Sequence, residues 1–270
     1  VDGLSSINAQ AEDLVILSDA MTSSMLDGTR IYNTVTFQLI DQSGATVVGQ
    51  ALTLVNATLG ATDLLKVDAS GLSSDTFNFN ASADNDSSVS VTGGDANDTL
   101  VGSASSIGDT LAGGAGADNI TGGAGHDSVL GGDGADTITM SIAASSIDTI
   151  DAGNQTDWLV LNGAATGTVV LNLNAGAGND QLTSINSSPE NIVQANFENL
   201  DASAMTGGGI NATARTRADA LALVGGASAV LLGWRGTTKD VDLKLVPDDD
   251  ELLRAIARLK DELQINVELA

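Results

Sequence analysis

Cysteine is absent from the 270-residue chain, which excludes a disulfide framework and any thiolate metal site. That absence is compatible with an exported bacterial protein. Aromatic residues make up 3% of the sequence while glycine supplies 31 positions, a balance suited to a thin, repetitive core. No apolar run approaches the ~18 residues needed to span a bilayer. A single histidine, His126, cannot by itself assemble a zinc or acid–base cluster, and it reads as a solvated turn residue. Neither H-E-x-x-H nor G-x-S-x-G occurs, so no protease or lipase centre is visible. Basic side chains are nearly missing from residues 1–214, where Arg30 and Lys66 stand against 25 acidic groups, a balance of −23. Such a surface repels itself until cations arrive, and it disfavours nucleic acid or an anionic membrane as partner. Residues 215–270 carry 10 acidic and 8 basic groups, and this change of character is the clearest boundary in the chain. Val1 opens without a charged-then-apolar leader, so the chain is expected to be part of a longer or processed polypeptide.

What the sequence does contain is a repeat. Three consecutive nonapeptides begin at Gly113, Gly122 and Gly131, reading GGAGADNIT, GGAGHDSVL and GGDGADTIT. Each fits G-G-x-G-x-D-x-U-x, where U is aliphatic. Looser copies begin at Gly93, with Ala96 at the third glycine, and at Gly102, with two extra residues. The acidic position falls on Asp98, Asp109, Asp118, Asp127 and Asp136, and the aliphatic one on Leu100, Leu111, Ile120, Val129 and Ile138. Calcium takes about six to eight oxygen ligands, from carboxylates and backbone carbonyls alike. A chain with one carboxylate per turn must draw the rest from its backbone, and glycine's access to positive φ turns carbonyls toward an ion. One short strand per nonapeptide cannot bury its single aliphatic side chain alone, so the repeats must stack.

This stretch resembles the RTX, or haemolysin-type calcium-binding, repeats of secreted bacterial proteins. The resemblance implies a right-handed parallel β-roll in which two nonapeptides make one coil, with G-G-x-G-x-D turning and x-U-x forming a strand. It also implies calcium between successive turns, so that carboxylates 18 residues apart share a column: Asp109 with Asp127, and Asp118 with Asp136. The implied metal-binding set is Gly93, Asp95, Asp98, Asp109, Gly113, Ala115, Gly116, Asp118, Gly122, Ala124, Gly125, Asp127, Gly131, Asp133 and Asp136. No catalytic residue is implied.

On the amino-terminal side, residues 7–26 place Ala11, Leu14, Val15, Leu17, Ala20 and Met21 on a broad apolar face, a pattern open to a helix, although the VIL run is equally strand-like. From Ile31 the period becomes two, with Val35, Phe37 and Leu39 alternating with polar neighbours. Short strands are expected at 46–55, 64–68, 76–80 and 88–92, as non-calcium coils of the same stack or as a sandwich. Beyond the strict repeats, ASSIDTIDAG at 144–153 copies ASSIGDTLAGG at 104–114, and Asp157 and Asp180 keep the acidic position in turns with weakened glycine geometry. The phrase FENLDASAMTGG resembles segments between repeat blocks of large RTX and surface-layer-like proteins. Phe197 and Leu200 are expected to pack over the last coil.

Residues 218–270 follow another logic. A helix is expected at 248–263, after Pro247 and three aspartates, with Leu252, Leu253, Ile256, Leu259 and Leu263 in one stripe. Strands at 240–246 and 265–269 flank it. The segment resembles the amino-terminal part of minimal nucleotidyltransferase-fold proteins, through Val224-Gly225-Gly226 and, thirteen residues on, Asp240-Val241-Asp242-Leu243. In that family the glycines open a helix near the nucleotide phosphates, so the resemblance implies Mg²⁺ on Asp240 and Asp242, with Glu268 as third acid. The alternating positions of Asp240 and Asp242 on a strand suit two-metal phosphoryl chemistry.

The expected architecture is therefore mainly β, a parallel β-roll or β-solenoid with calcium-binding turns plus a small partial α/β segment. The expected divisions are a β-rich region at 1–90, the roll at 91–205, a linker or seam at 206–217 and the foreign segment at 218–270. The expected function is an extracellular, calcium-binding structural or adhesive module, non-enzymatic, that folds on binding Ca²⁺ after type I export. Its partners would be calcium ions and either its own copies in a surface lattice or a cell-surface ligand. The alternative is a Mg²⁺-dependent nucleotidyltransferase fragment carried by 218–270.

Overall fold

The computed structural model describes residues 13–18, 34–40, 49–55, 59–61, 63–142, 148–164, 168–172, 182–184, 193–197, 199–206, 209–213, 223–224, 228–231, 240–243 and 266–269. All regular structure among them is β. In chain order the strands begin with β1 (Asp13–Ser18), β2 (Thr34–Ile40), β3 (Gln50–Val55), β4 (Leu64–Gly71), β5 (Phe77–Ala83) and β6 (Ser88–Thr92). Then come β7 (Thr99–Val101), β8 (Thr110–Ala115), β9 (Asn119–Thr121), β10 (Ser128–Asp133), β11 (Thr137–Ser141), β12 (Thr149–Asn154) and β13 (Trp158–Ala164). They are followed by β14 (Thr168–Asn172), β15 (Leu182–Ser184), β16 (Val193–Ala195), β17 (Asn199–Asp201), β18 (Met205–Thr206) and β19 (Gly209–Thr213). The last are β20 (Leu223–Val224), β21 (Ser228–Leu231), β22 (Asp240–Leu243) and β23 (Asn266–Leu269).

From β2 to β13 consecutive strands alternate between two sheets. One runs β1-β2-β4-β6-β8-β10-β12-β16, and the other runs β20-β17-β13-β11-β9-β7-β5-β3. Every pairing along both is parallel. This is a parallel β-roll: the chain turns after each short strand and crosses to the opposite sheet. A third sheet, β15-β14-β19-β21, holds one antiparallel pair, β14 with β15. β22 and β23 pair with each other in parallel. No helix long and apolar enough to cross a membrane occurs among the described residues.

The period-two alternation expected for the strands appears as alternating burial, for example in β2 and β11. Because coils stack in register, each repeat's aliphatic residue meets its counterpart. Val91, Leu111, Val129 and Ile150 are successive partners in the first sheet. Phe79, Leu100, Ile120, Ile138, Leu159 and Leu200 are successive partners in the second. All are buried, each contributing about 1.5–3 kcal/mol. The core is uneven along its length. β2 buries Val35, Phe37 and Leu39, and β5 buries Phe77, Phe79 and Ala81, whereas β7, β8, β9 and β10 bury one aliphatic side chain each: Leu100, Leu111, Ile120 and Val129. Phe197 and Leu200 are buried at the far end of the roll.

One open alternative is decided for part of its stretch. Asp13–Ser18, inside the stretch open to a helix, is strand β1, in register with Asp13 beside Val35 and Ser18 beside Ile40. An open sheet edge supplies a hydrogen-bonding partner for the β-favouring VIL run, and tertiary pairing outweighs the helical spacing. The remainder of 7–26 lies outside the described residues. At the carboxy-terminal end, the strands expected at 240–246 and 265–269 appear as β22 and β23, while the helix expected at 248–263 lies outside the described residues.

Candidate metal centre

Each aspartate of the repeat stands immediately before a strand, and the strand positions it. Pairing of β9 with β11 and of β8 with β10 in parallel register sets the preceding residues, Asp118 and Asp136 or Asp109 and Asp127, one above the other. The outcome is two ladders. In one, Asp118 Oδ1 accepts the Asp98 amide at 2.7 Å, Asp136 Oδ1 accepts the Asp118 amide at 2.8 Å, and Asp157 Oδ1 accepts the Asp136 amide at 2.8 Å. In the other, Asp127 Oδ1 accepts the Asp109 amide at 2.8 Å and Asp148 Oδ1 accepts the Asp127 amide at 3.0 Å. All seven side chains are at most 3% exposed.

The glycines shape the turns around these carboxylates. Gly114 and Gly116, Gly123 and Gly125, and Gly132 and Gly134 all have positive φ, at the second and fourth places of their nonapeptides, a conformation glycine reaches without steric cost. The first glycine acts differently. A Cβ on Gly113 would collide with Asp118 Oδ2 and with the Gly131 carbonyl of the next coil, and one on Gly131 would collide with Asp136 Oδ2 and the Ala152 carbonyl. The missing side chain thus leaves a cradle in which a carboxylate oxygen and a carbonyl oxygen, both acceptors, converge.

The two ends of each carboxylate are not equally satisfied. Asp98 accepts Phe77 N on Oδ1 at 2.7 Å and Gly94 N on Oδ2 at 2.6 Å. Asp109 accepts Val89 N on Oδ1 at 2.8 Å and Ser103 N on Oδ2 at 2.6 Å. In contrast, Oδ2 of Asp118, Asp127 and Asp136 is buried without a hydrogen-bond partner. Burial pushes Asp98, Asp109, Asp118, Asp127, Asp136 and Asp148 above the usual carboxylate range. Asp118 and Asp127 are pushed up to about 7, burial acting first and the charges of the carboxylates above and below adding to it.

Stacked, buried carboxylates facing carbonyl oxygens require positive charge to be stable in the ionised form. An oxygen-only donor set of this kind fits calcium. Among the described residues no three His, Cys, Asp or Glu side chains converge on one point, as expected where each turn supplies one carboxylate and the backbone supplies the rest. A family model for the RTX calcium-binding nonapeptide repeat matches residues 79–106 and 104–138, in four copies. Residues 79–138 carry RTX calcium-binding repeats. No curated protein and no solved structure matches the chain.

Within and around the RTX repeats, the structure brings Asp98, Asp118, Asp136 and Asp157 into one ladder and Asp109 and Asp127 into the other. Gly93, Gly113, Gly122 and Gly131 each stand at the first-glycine place, against the aspartate of their own turn. The Gly116 amide donates to the Asp133 carbonyl at 2.8 Å, and the Ala115 and Ala124 amides bridge to Gly94 and Ser103 of the coil before. The side chains of Asp95 and Asp133 are exposed; Asp133 Oδ1 accepts the Asn154 side-chain amide at 2.7 Å. His126 is an exposed turn residue. Asp180 lies outside the described residues. Asp240 and Asp242 stand on β22, where the register sets Asp242 beside Glu268. Ser228–Leu231, just past Gly225 and Gly226, forms strand β21 in register with Gly209–Ala212, in place of the helix that the nucleotidyltransferase resemblance implies there.

Asp148 belongs to the ladder although the sequence-derived set omits it. Its separation from Asp127 is 21 residues, against 18 within the strict repeats, so a fixed-period search passes over it; the Asp-Thr-Ile run shared with the repeats is the available signal. Gln155 was also hidden. It holds φ 81 at the place Gly134 occupies one coil earlier, and its Oε1 accepts the Gly134 amide at 2.7 Å.

Proposed function

We propose that the protein is an extracellular, calcium-dependent structural or adhesive module whose roll folds on binding calcium after type I export. The single observation that carries this reading is the pair of buried aspartate ladders with unpartnered Oδ2 atoms, at Asp118 and Asp136 in one and at Asp127 in the other. Bound there, calcium supplies the positive charge that the two ladders lack. The metal-binding set lies within the repeat turns between Gly93 and Asp136, and the coils before residue 91 continue the same sheets without metal. The residues themselves hold the coils in register through the aspartate ladders and the aliphatic columns. A balance of −23 over residues 1–214 favours an unfolded chain where calcium is scarce and a folded one at the ~10⁻⁴–10⁻³ M affinities of extracellular modules. Partners beyond calcium are further copies of the chain in a surface lattice or a cell-surface ligand. Circular dichroism with and without calcium is the test: a β spectrum indifferent to chelator would sink the reading.

A second reading, favoured by the register of Asp242 with Glu268, is a Mg²⁺-dependent nucleotidyltransferase fragment at 218–270. Asp240 and Asp242 would hold the ion. Nucleotide binding that disappears in the Asp240→Ala, Asp242→Ala double variant supports it, and absence of binding by the intact chain removes it.

A further inference from the structure

Resting on the calcium reading, we infer that, among the repeat aspartates from Asp98 to Asp136, calcium demand falls on Asp118, Asp127 and Asp136, at a waist of the roll. Asp98 and Asp109 are hydrogen-bonded seats that close this waist onto an amino-terminal end able to fold without the ion.

The first ground is the state of each carboxylate. Asp98 has both oxygens bonded to buried backbone amides, Phe77 N at 2.7 Å and Gly94 N at 2.6 Å. Asp109 likewise holds Val89 N at 2.8 Å and Ser103 N at 2.6 Å, with the Ser103 hydroxyl at 3.3 Å as a further donor. The protein's own donors therefore meet these charges from both the preceding coil and their own turn. At Asp118, Asp127 and Asp136 the Oδ1 bond to the preceding coil is retained and the own-turn bond is missing, which leaves Oδ2 buried and unpartnered. A buried carboxylate oxygen without a donor is the costly member of such a column, and it is the one that a cation relieves.

The second ground is independent of the aspartates. Strands β7, β8, β9 and β10 bury one aliphatic side chain each, Leu100, Leu111, Ile120 and Val129, while β2, β3, β4 and β5 bury two or three inward residues apiece, including Phe37, Phe77 and Phe79, and β11 buries Ile138 and Met140. Apolar burial is the driving force that needs no ion; it is thinnest from β7 to β10 and greater on both sides, with the aromatic side chains Phe37, Phe77 and Phe79 on the amino-terminal side of Asp98. Ser103 marks the join. Its amide donates to Asp109, and its single hydroxyl proton is shared between Asp109 Oδ1 at 3.3 Å and the Ser87 carbonyl at 3.2 Å, so a side chain ties the turn of the preceding coil to the Gly102 turn of the repeats.

The test uses the full chain. Native mass spectrometry in calcium counts bound ions for the unaltered protein and for Asp98→Asn, Asp109→Asn, Asp118→Asn, Asp127→Asn and Asp136→Asn. The last three should each lose an ion, while the first two should keep the full count. In parallel, hydrogen exchange of the unaltered chain in chelator should leave amides of β4, β5 and β6 protected and those of β8, β9 and β10 exchanging. Ion loss by folded Asp98→Asn or Asp109→Asn overturns the inference, as does equal exchange of both groups of strands in chelator. If either seat variant fails to fold, the exchange result on the unaltered chain decides. An unaltered protein that binds no ion at all refutes the calcium reading itself, an outcome distinct from ions bound with an equal loss in all five variants.

Discussion

The backbone amide of Asp109 donates to Oδ1 of Asp127, 18 residues ahead, at 2.8 Å. A side chain of one coil thereby satisfies the main chain of the coil before it, at the place where the first coil leaves its turn and enters β8. Removing the carboxylate by Asp127→Ala leaves a buried amide without its acceptor, at about 1–3 kcal/mol, and removes a charge from the calcium column. The expected result is a higher calcium concentration at the folding midpoint, read by circular dichroism, with the Asp127→Asn variant intermediate because its carbonyl oxygen still accepts the amide.

The pH response of the calcium-free chain follows from the raised carboxylates. In the unfolded chain these aspartates titrate near 3.8, while in the fold Asp118 and Asp127 are pushed up to about 7. The folded state therefore holds protons that the unfolded state has already released. Its relative stability is highest below pH ~4 and falls as pH rises toward 7. In chelator, the β signal should be stronger at pH 5 than at pH 8. With calcium present the trend reverses in the same window, because binding requires the ionised form, so the calcium midpoint should rise as pH drops below 7.

The cradle at Gly113 gives a steric prediction. A methyl group there meets the Gly131 carbonyl, which is backbone, and Oδ2 of Asp118, a buried carboxylate held through Oδ1 by the Asp98 amide at 2.7 Å. Gly113→Ala should weaken calcium binding sharply in a titration followed by circular dichroism. Ala117→Ser, at an exposed position in the same turn, should leave the titration unchanged.

Packing makes a separate demand. Ile120 is fully buried between Leu100 and Ile138 of the adjoining coils. Ile120→Ala should cost about 2–5 kcal/mol in denaturant unfolding at saturating calcium. Leu130→Ala, on the outward side of the neighbouring β10 and 47% exposed, should change stability by less than about 0.5 kcal/mol.

The repeats could be read directly because two periodicities coincide in them. Leu100, Ile120 and Ile138 recur with the strands, Asp109 and Asp127 recur with the turns, and a nonapeptide carries one of each. The pairing of Asp109 with Asp127 could thus be anticipated from spacing alone. The state of each carboxylate could not. Asp98 and Asp118 occupy equivalent positions, yet one has an own-turn donor and the other has not, a difference of local backbone placement that composition does not encode. Asp148 was legible as a counterpart of Asp109 through the ASSI-D-T copy, although the 21-residue step from Asp127 kept it out of the expected metal set. Gln155, in contrast, was hidden by its identity, since a residue with a Cβ at positive φ is unfavourable on local grounds and is held here by a bond to the coil above. β1 was ambiguous for another reason. Its six residues suit either a helix or a strand, and the choice is made by the distant partner β2.

The in-register stacking of β8 on β10 and of β9 on β11 also governs how such a molecule can change length. An inserted or deleted block of two nonapeptides adds or removes one whole turn of the spiral and leaves every other residue facing as before. A block of one nonapeptide exchanges the two flanks, so that all later strands swap sheets and each aspartate joins the opposite ladder. Growth by duplication is therefore quantised in pairs, and the length of the rod can be tuned in steps that never disturb its cross-section.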